Sequence, residues 1–266
     1  MKKLTPYIIA CVGAFAPFTA SAIPVGLELA LLTDVSGSIS SREYRLQKNG
    51  YVAAFQDPRI QQAISAIGGI AVSYYEWSGA RQQAKKVEWF NIVDAASSNE
   101  FAALIKATKR SFKGGKSAPG NAISKVTPKF GTETGGNDNG FESSRQIIDI
   151  SGDSRRNDGK NTAQARDAAL AKGVDAINGL PVLGEKGVKS FYENKIKGGT
   201  DSFIIPAAKF ARFKDKIIEK LEREIAEFSV PEPASDRAQI PEPTVLALLG
   251  VGLTGFILSR RKKVEA

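Results

Sequence analysis

An apolar run from Val25 to Thr33, broken only by Gly26 and Glu28, ends abruptly at Asp34 and a serine-rich stretch. A short run without alternation predicts a strand buried on both faces, as in the middle of a parallel sheet. Ser41 is then placed to cap a helix whose apolar face carries Tyr44, Tyr51, Val52 and Phe55. Strand-like segments follow at Gly68 to Trp77 and Val87 to Val93, and a helix opens at Ser98 or Asn99 with Phe101, Leu104 and Ile105 inward. Ile147 to Ile150 predicts a short central strand and Thr162 to Lys172 an alanine-rich helix. Ala176-Ile177 and Leu180 to Leu183 flank an Asn178-Gly179 pair, Phe203 to Ile205 reads as a last short strand, and Phe210 to Phe228 as a closing amphipathic helix. Gly131 to Gly140 reads as a polar, exposed, mobile loop. Strands alternating with helices predict an α/β fold of three layers, a mostly parallel central sheet with helices on both faces. Ligands of such sheets sit at the carboxyl ends of the strands.

The two ends follow a different pattern. Lys2 and Lys3, an apolar stretch from Ile8 to Phe18, and Ala20-Ser21-Ala22 have the three parts of a secretory signal peptide, with cleavage expected after Ala22. The folded domain is expected over 23–229. A proline-containing spacer, 230–240, leads to Pro241-Glu242-Pro243, an apolar span from Thr244 to Leu258 and the basic cluster Arg260 to Lys263. As a helix that span is about 22 Å long, short of the roughly 30 Å hydrocarbon core. Its flanks would have to snorkel, and the basic cluster would hold the C-terminus in the cytoplasm. Gly250-Val251-Gly252-Leu253-Thr254-Gly255 matches a dinucleotide-binding fingerprint in letters only, since no strand precedes it and no acidic residue follows at the required distance. The segment 241–266 resembles a PEP-CTERM sorting signal, with Val230-Pro231-Glu232-Pro233 as a weaker echo of its motif. The resemblance implies an exosortase-type processing enzyme, transient residence in the inner membrane, and passage through the periplasm to the outer surface or extracellular matrix of a Gram-negative, exopolysaccharide-producing bacterium.

Composition narrows the chemistry by what it lacks. The chain has no histidine, and its one cysteine, Cys11, lies in the leader. Thiol and imidazole mechanisms are thereby excluded from the mature domain. A metal would be held by oxygen, which favours Mg²⁺, Mn²⁺ or Ca²⁺ over a typical zinc site. The formal charge of +9 is inflated by the basic residues of the two ends. Without them the domain carries roughly +4, a solubilising charge that does not call for nucleic acid.

Asp34-Val35-Ser36-Gly37-Ser38 follows the first strand. Three oxygen side chains at alternate positions of one tight loop can converge, and a carboxylate with neutral hydroxyls suits a hard cation that keeps some of its water. This D-x-S-x-S loop resembles the opening of the metal-ion-dependent adhesion site, MIDAS, of von Willebrand factor A (vWA) domains, a Rossmann-like fold. The resemblance implies a threonine from a second loop and an aspartate from a third. Asp153, in Ile148-Asp149-Ile150-Ser151-Gly152-Asp153, stands where the aspartate is expected, and Asp149 reads as a strand residue. The second element departs from the usual G-G-T-x-x-G. Gly115-Lys116-Ser117-Ala118-Pro119-Gly120 puts Ser117 in the threonine's place and Lys116 in a glycine's, where its charge would oppose a cation unless the side chain turns away. The expected metal ligands are therefore Asp34, Ser36, Ser38, Ser117 and Asp153. Gly115-Lys116-Ser117 is no phosphate loop, because position 110 is Arg110 and the preceding segment reads as a helix. Ser151-Gly152-Asp153, Ile177-Asn178-Gly179-Leu180-Pro181 and Lys220-Leu221-Glu222-Arg223-Glu224-Ile225 also resemble a secreted bacterial family of vWA-like proteins of unknown function.

These readings predict a non-enzymatic binding or adhesion module. It would hold Mg²⁺, or Mn²⁺ or Ca²⁺, and through it a carboxylate of a partner protein or acidic polysaccharide. The alternatives are a Mg²⁺-dependent hydrolase and a structural matrix protein with a vestigial site. The hydrolase lacks a second carboxylate cluster for a two-metal centre. Tyr74, Tyr75, Trp77 and Trp89 are expected to pack in the core and not to form a sugar platform.

Overall fold

The structure is a computed structural model and describes residues 22–226. In chain order its elements are β1 (Ile23–Pro24), β2 (Leu27–Asp34), α1 (Ser41–Phe55), α2 (Pro58–Ala66), β3 (Ile70–Trp77), β4 (Gln83–Ile92), α3 (Ala95–Ala107), α4 (Pro119–Val126), β5 (Phe141–Glu142), β6 (Gln146–Gly152), α5 (Thr162–Leu170), β7 (Ala176–Pro181), α6 (Val188–Phe191), β8 (Gly198–Gly199) and α7 (Phe213–Ala226). The main sheet has the order β4-β3-β2-β6-β7-β8. The strands β3, β2, β6 and β7 are parallel, while the edge strands β4 and β8 run antiparallel to their neighbours. The expected three-layer, mostly parallel α/β architecture is present. A separate short pair joins β1 to β5.

Alternation along the inner strands builds two cores. Leu27, Leu29 and Leu31 of β2, Val72 and Tyr74 of β3, and Ile147 of β6 face α1, α2, α3 and α7. Ala30 and Leu32, Tyr75 and Trp77, and Ile148 and Ile150 face α4, α5 and the segment 188–196. Strands covered on both faces explain why β2, β3, β6 and β7 are buried at every position. Tyr74, Tyr75 and Trp77 are core residues, and Trp89 packs half-buried on Phe130.

Several boundaries differ from the sequence reading for local reasons. Ser40 caps α1, paired reciprocally with Glu43. Helix α3 opens at Ala95, ahead of Ser98, because Asp94 and Ser97 form the same kind of capping box. Asn178-Gly179 lies inside a continuous β7. The Asn178 amide donates to Glu224 (3.0 Å) and its carbonyl oxygen accepts from Phe203 N (3.0 Å), so it makes no turn. Phe203 to Ile205 contributes only an isolated bridge, Gly179 to Ile204. Gly131 to Gly140 is not an open loop: Thr134 is buried, and Asn139 donates to the buried Glu28 (2.5 Å). Helix α7 starts at Phe213 after a single 3-10 turn. Phe228, the leader and the apolar span Thr244 to Leu258 lie outside the described residues. Among those described, no helix is long and apolar enough to cross a membrane.

Candidate metal centre

Strand β2 carries Asp34 to the carboxyl edge of the sheet and ends there. Asp34 is buried, and its Oδ1 accepts the Ser36 N–H at 2.7 Å, an Asx turn that swings the chain across the strand end. The Ser36 and Ser38 hydroxyls then lie 3.2 Å apart, and Ser38 Oγ donates to Asp153 Oδ1 at 2.6 Å. Asp153 comes from the neighbouring strand: Thr33 pairs with Ser151, so Gly152 stands beside Asp34 and Asp153 lies just past the sheet. Gly152 must lack a side chain, because a Cβ there would sit 2.7 Å from Asp34 Oδ2 and 2.8 Å from Tyr192 Oη.

The third loop, 108–118, reaches the same edge. Gly37 N–H donates to the Gly115 carbonyl at 2.9 Å, which ties the two loops together. Gly115 has φ +130°, a conformation that favours glycine, so the approach depends on it. Two residues on, Ser117 is buried. Its N–H donates to Asn157 Oδ1 at 2.7 Å, and its carbonyl accepts the N–H groups of Asn157 and Asp158. The expected Asp34, Ser36, Ser38 and Asp153 thus form one hydrogen-bonded group. Ser117 is held to the adjoining loops by its backbone, with its hydroxyl left free. Lys116 is exposed. Its carbonyl accepts from Ser78 Oγ (3.2 Å), and its charge adds to the lowering of the Asp158 carboxyl, which comes chiefly from the backbone N–H of Ala80.

Electrostatically the centre is short of positive charge. Burial pushes the Asp34 carboxyl up to about 7, against hydrogen bonds from Ser36 that favour its ionised form, and the charge of Asp153 adds to the rise. Asp153 is also raised by burial, partly offset by Ser38. The Tyr192 hydroxyl is raised by burial and then by Asp34 and Asp153. Asp34 Oδ2, Ser117 Oγ and Tyr192 Oη are buried with no hydrogen-bond partner. Unpaired oxygens beside two carboxylates fit a hard cation, which would satisfy them and offset the desolvation of Asp34. Among the described residues no three Asp, Glu, His or Cys side chains gather around a common point, so hydroxyls must complete any donor set.

Four supporting residues were not legible in the motif. Arg110 donates to the carbonyls of Val35 (2.8 Å) and Ser36 (3.0 Å), and Gln47 of α1 donates to the Asp34 carbonyl at 3.1 Å. Asn157 positions Ser117, and Tyr192 closes the floor beside Gly152. Only Gln47 carried a sequence signal, a polar group on an otherwise apolar helix face. Asp149 is not a ligand. It is buried within β6 and ion-paired to Lys220 of α7 at 2.8 Å.

Three-layer order, strand polarity and the placing of an acidic and hydroxyl-rich loop at the sheet's carboxyl edge define a vWA-type domain. Among solved structures, proximal thread matrix protein 1 from the mussel byssus aligns with TM-score 0.56 at 15% identity, over 77% of this chain and 49% of that one. A form of the same mussel protein described as having a zinc-occupied MIDAS motif aligns at 0.53 and 16%, over 76% and 46%. The pilus adhesin SpaC from Lactobacillus rhamnosus GG, in an open conformation, gives 0.55 at 13%, over 77% and 30%. A von Willebrand factor type A protein from Catenulispora acidiphila gives 0.50 at 10%, over 76% and 43%. The chain spans at most about half the length of these solved chains, and identities this low establish the fold alone. By its sequence the chain belongs to the family described as "Protein of unknown function (DUF1194)", whose profile matches residues 24–229. Residues 239–262 match the PEP-CTERM protein-sorting motif, which implies export, exosortase processing and a surface or matrix destination. No curated protein matches the sequence.

Proposed function

We infer that the domain is an exported, non-enzymatic binding module of the cell surface or matrix that engages its partner through a divalent cation. Asp34, Ser36, Ser38, Ser117 and Asp153 would hold Mg²⁺, or Mn²⁺ or Ca²⁺, directly or through water. A coordination position left open to solvent would take a carboxylate of the partner. The observation that carries this reading is the pair of buried, unpartnered oxygens, Asp34 Oδ2 and Ser117 Oγ, in a centre whose two carboxylates, Asp34 and Asp153, form no ion pair among the described residues. The fold neighbours support it, being a thread matrix protein and a pilus adhesin, with zinc at the MIDAS motif of the first. The signal peptide and the C-terminal span belong to the same reading: leader 1–22, domain 23–229, linker 230–240, sorting segment 241–266.

The test is the melting temperature of the purified protein in EDTA and in Mg²⁺, Mn²⁺ or Ca²⁺, beside Asp34→Ala. A cation at 100 times its Kd stabilises the native state by about 2.7 kcal/mol. For a domain of this size that is a rise of roughly 5 °C or more. The rise is expected in wild type and absent in Asp34→Ala. No rise with any cation would remove the metal from the mechanism and leave a matrix protein with a vestigial centre.

A further inference from the structure

The loops surrounding the Asp34 centre carry more basic than acidic side chains. Arg81 in the β3–β4 hairpin, Lys113 and Lys116 in the 108–118 loop, Arg156 and Lys160 between β6 and α5, and Lys186 after β7 are all exposed. None of these six forms an ion pair among the described residues; Arg156 only donates to the Gly159 carbonyl, at 3.0 Å. The acids nearby are Asp158, Glu185 and Glu43. Asp158 accepts the Ala80 N–H at 2.9 Å, Glu185 pairs with Arg155 at 2.6 Å, and Glu43 accepts the Ser40 N–H at 2.9 Å in the cap of α1. At the amino ends of the same strands charge is mixed, with Glu28, Glu133, Glu142 and Asp175 among Lys129, Arg145 and Lys172. Six exposed cations without an ion pair among the described residues therefore surround the candidate metal centre.

The loops form one continuous surface. Gly37 bonds to Gly115, Ser117 to Asn157, Ala80 to Asp158, the Asn121 amide to the Ala80 carbonyl (2.9 Å), and Lys160 N–H to Asn121 Oδ1 (2.7 Å). The surface is also poor in apolar anchors. Leu183 is its one exposed large hydrophobic side chain among the described residues, and Phe112, its one aromatic in these loops, packs half-buried on the core. Protein interfaces rely on buried aromatic or apolar hot spots, and single-stranded nucleic acids on stacking platforms. A rim of long, flexible cations without either suits a hydrophilic polymer bearing repeated negative charge, drawn in by its field.

We propose that this rim binds an acidic polysaccharide with regularly spaced carboxylates, one carboxylate reaching the cation at the Asp34 centre and its neighbours along the chain meeting the lysine and arginine rim. The inference rests on the metal reading for that one anchoring contact, and on the rim for the rest. The division of labour is specific: the centre selects a carboxylate, and the rim requires that it belong to a polyanion.

The experiment measures binding of oligogalacturonate to the full-length protein in Mg²⁺ and in EDTA. Polyglutamate, a single-stranded oligonucleotide and neutral dextran serve as comparators at low and moderate salt. Lys113→Gln/Lys116→Gln/Arg156→Gln is compared with wild type, and the Mg²⁺-dependent melting shift of both is recorded as a check on folding and on the centre. The expected result is binding of oligogalacturonate that weakens with salt and falls at least tenfold in the triple variant, whose melting shift is unchanged. Equal binding by wild type and variant overturns the proposal, as does tighter binding of polyglutamate or the oligonucleotide than of oligogalacturonate at matched charge. Absence of oligogalacturonate binding by wild type overturns it too. Rim-dependent binding without any melting shift in Mg²⁺ supports the rim and instead defeats the metal reading, so the two failures are distinct.

Discussion

Asp34 is the residue on which the centre turns. Its carboxyl lies near 7 in the folded protein and near 3.8 when free, and burial is the main cause. The folded state therefore holds this proton more tightly than the unfolded one. In EDTA, its contribution makes stability fall as pH rises from about 4 to about 7 and level off above that. A cation competes with the same proton, so Mg²⁺ affinity should increase by up to about tenfold per pH unit below 7 and flatten above it. Asp34→Asn removes the charge while keeping the shape. At pH 8 it is expected to melt above wild type in EDTA and below it in saturating Mg²⁺, and thermal melts under both conditions check this crossover. If the variant melts lower in EDTA as well, Asp34 is stabilised by something other than a cation. The D-x-S-x-S spacing made Asp34, Ser36 and Ser38 legible, because three alternate oxygens on a tight turn have a chemistry of their own. Arg110, Asn157 and Tyr192 were not legible, since each acts across the fold from a distant segment on a backbone group or a void.

At the scale of elements, α7 is held by an ion cluster buried in the core. Lys220 Nζ lies 2.8 Å from Asp149 Oδ2 and 2.5 Å from Glu224 Oε1, with all three side chains sealed from solvent. Burial raises the Glu224 carboxyl to about 7 in spite of Lys220, so the cluster is only partly compensated. Removing one partner of such a group strands the others, at a cost of about 3–5 kcal/mol, whereas replacing the whole group with apolar or neutral residues is far less harmful. Lys220→Met alone is expected to lower the melting temperature by roughly 10 °C. Adding Asp149→Asn and Glu224→Gln should recover most of that loss, and a three-step melting series checks it. Asn178-Gly179 has the letters of a turn, but a strand uses them to grip Glu224 and to admit Tyr192, whose ring would meet a Cβ at Gly179 at 2.7 Å. The apolar pattern located β2, β3 and β6 and the helices α1, α3, α5 and α7, while β7 was read in two pieces and α2, α4 and α6 were not read. It could not anticipate a tertiary partner overriding local propensity, or a cap such as Asp94 seven residues upstream of Phe101, where the apolar face begins.

For the whole molecule, the domain and its address are separable matters. The family profile ends at 229 and the sorting motif begins at 239, so nine residues of chain lie between them. Replacing Pro241-Glu242-Pro243 with alanines in the producing bacterium is expected to leave the melting curve untouched. The protein should then be retained with the cell membranes instead of reaching the surface or medium. Cell fractionation with intact-mass measurement checks this, and an unaltered mass and location would mean that the motif does not direct processing in this chain. The overall architecture was legible because it follows from alternation and burial. The loop geometry at the sheet's carboxyl edge was not, because it depends on contacts between segments far apart in sequence.

Most of those contacts have a backbone atom on at least one side. Gly37 meets Gly115, Asn157 and Asp158 meet the Ser117 carbonyl, and Arg110 grips the carbonyls of Val35 and Ser36. Main-chain ties do not depend on which side chains project outward from positions 81, 113, 116, 156 or 160. The rim can therefore exchange residues by mutation without deforming the cage beneath it. Under the proposed function, such a scaffold would let lineages retune the partner while inheriting the same cation centre, and the two properties could evolve at different rates.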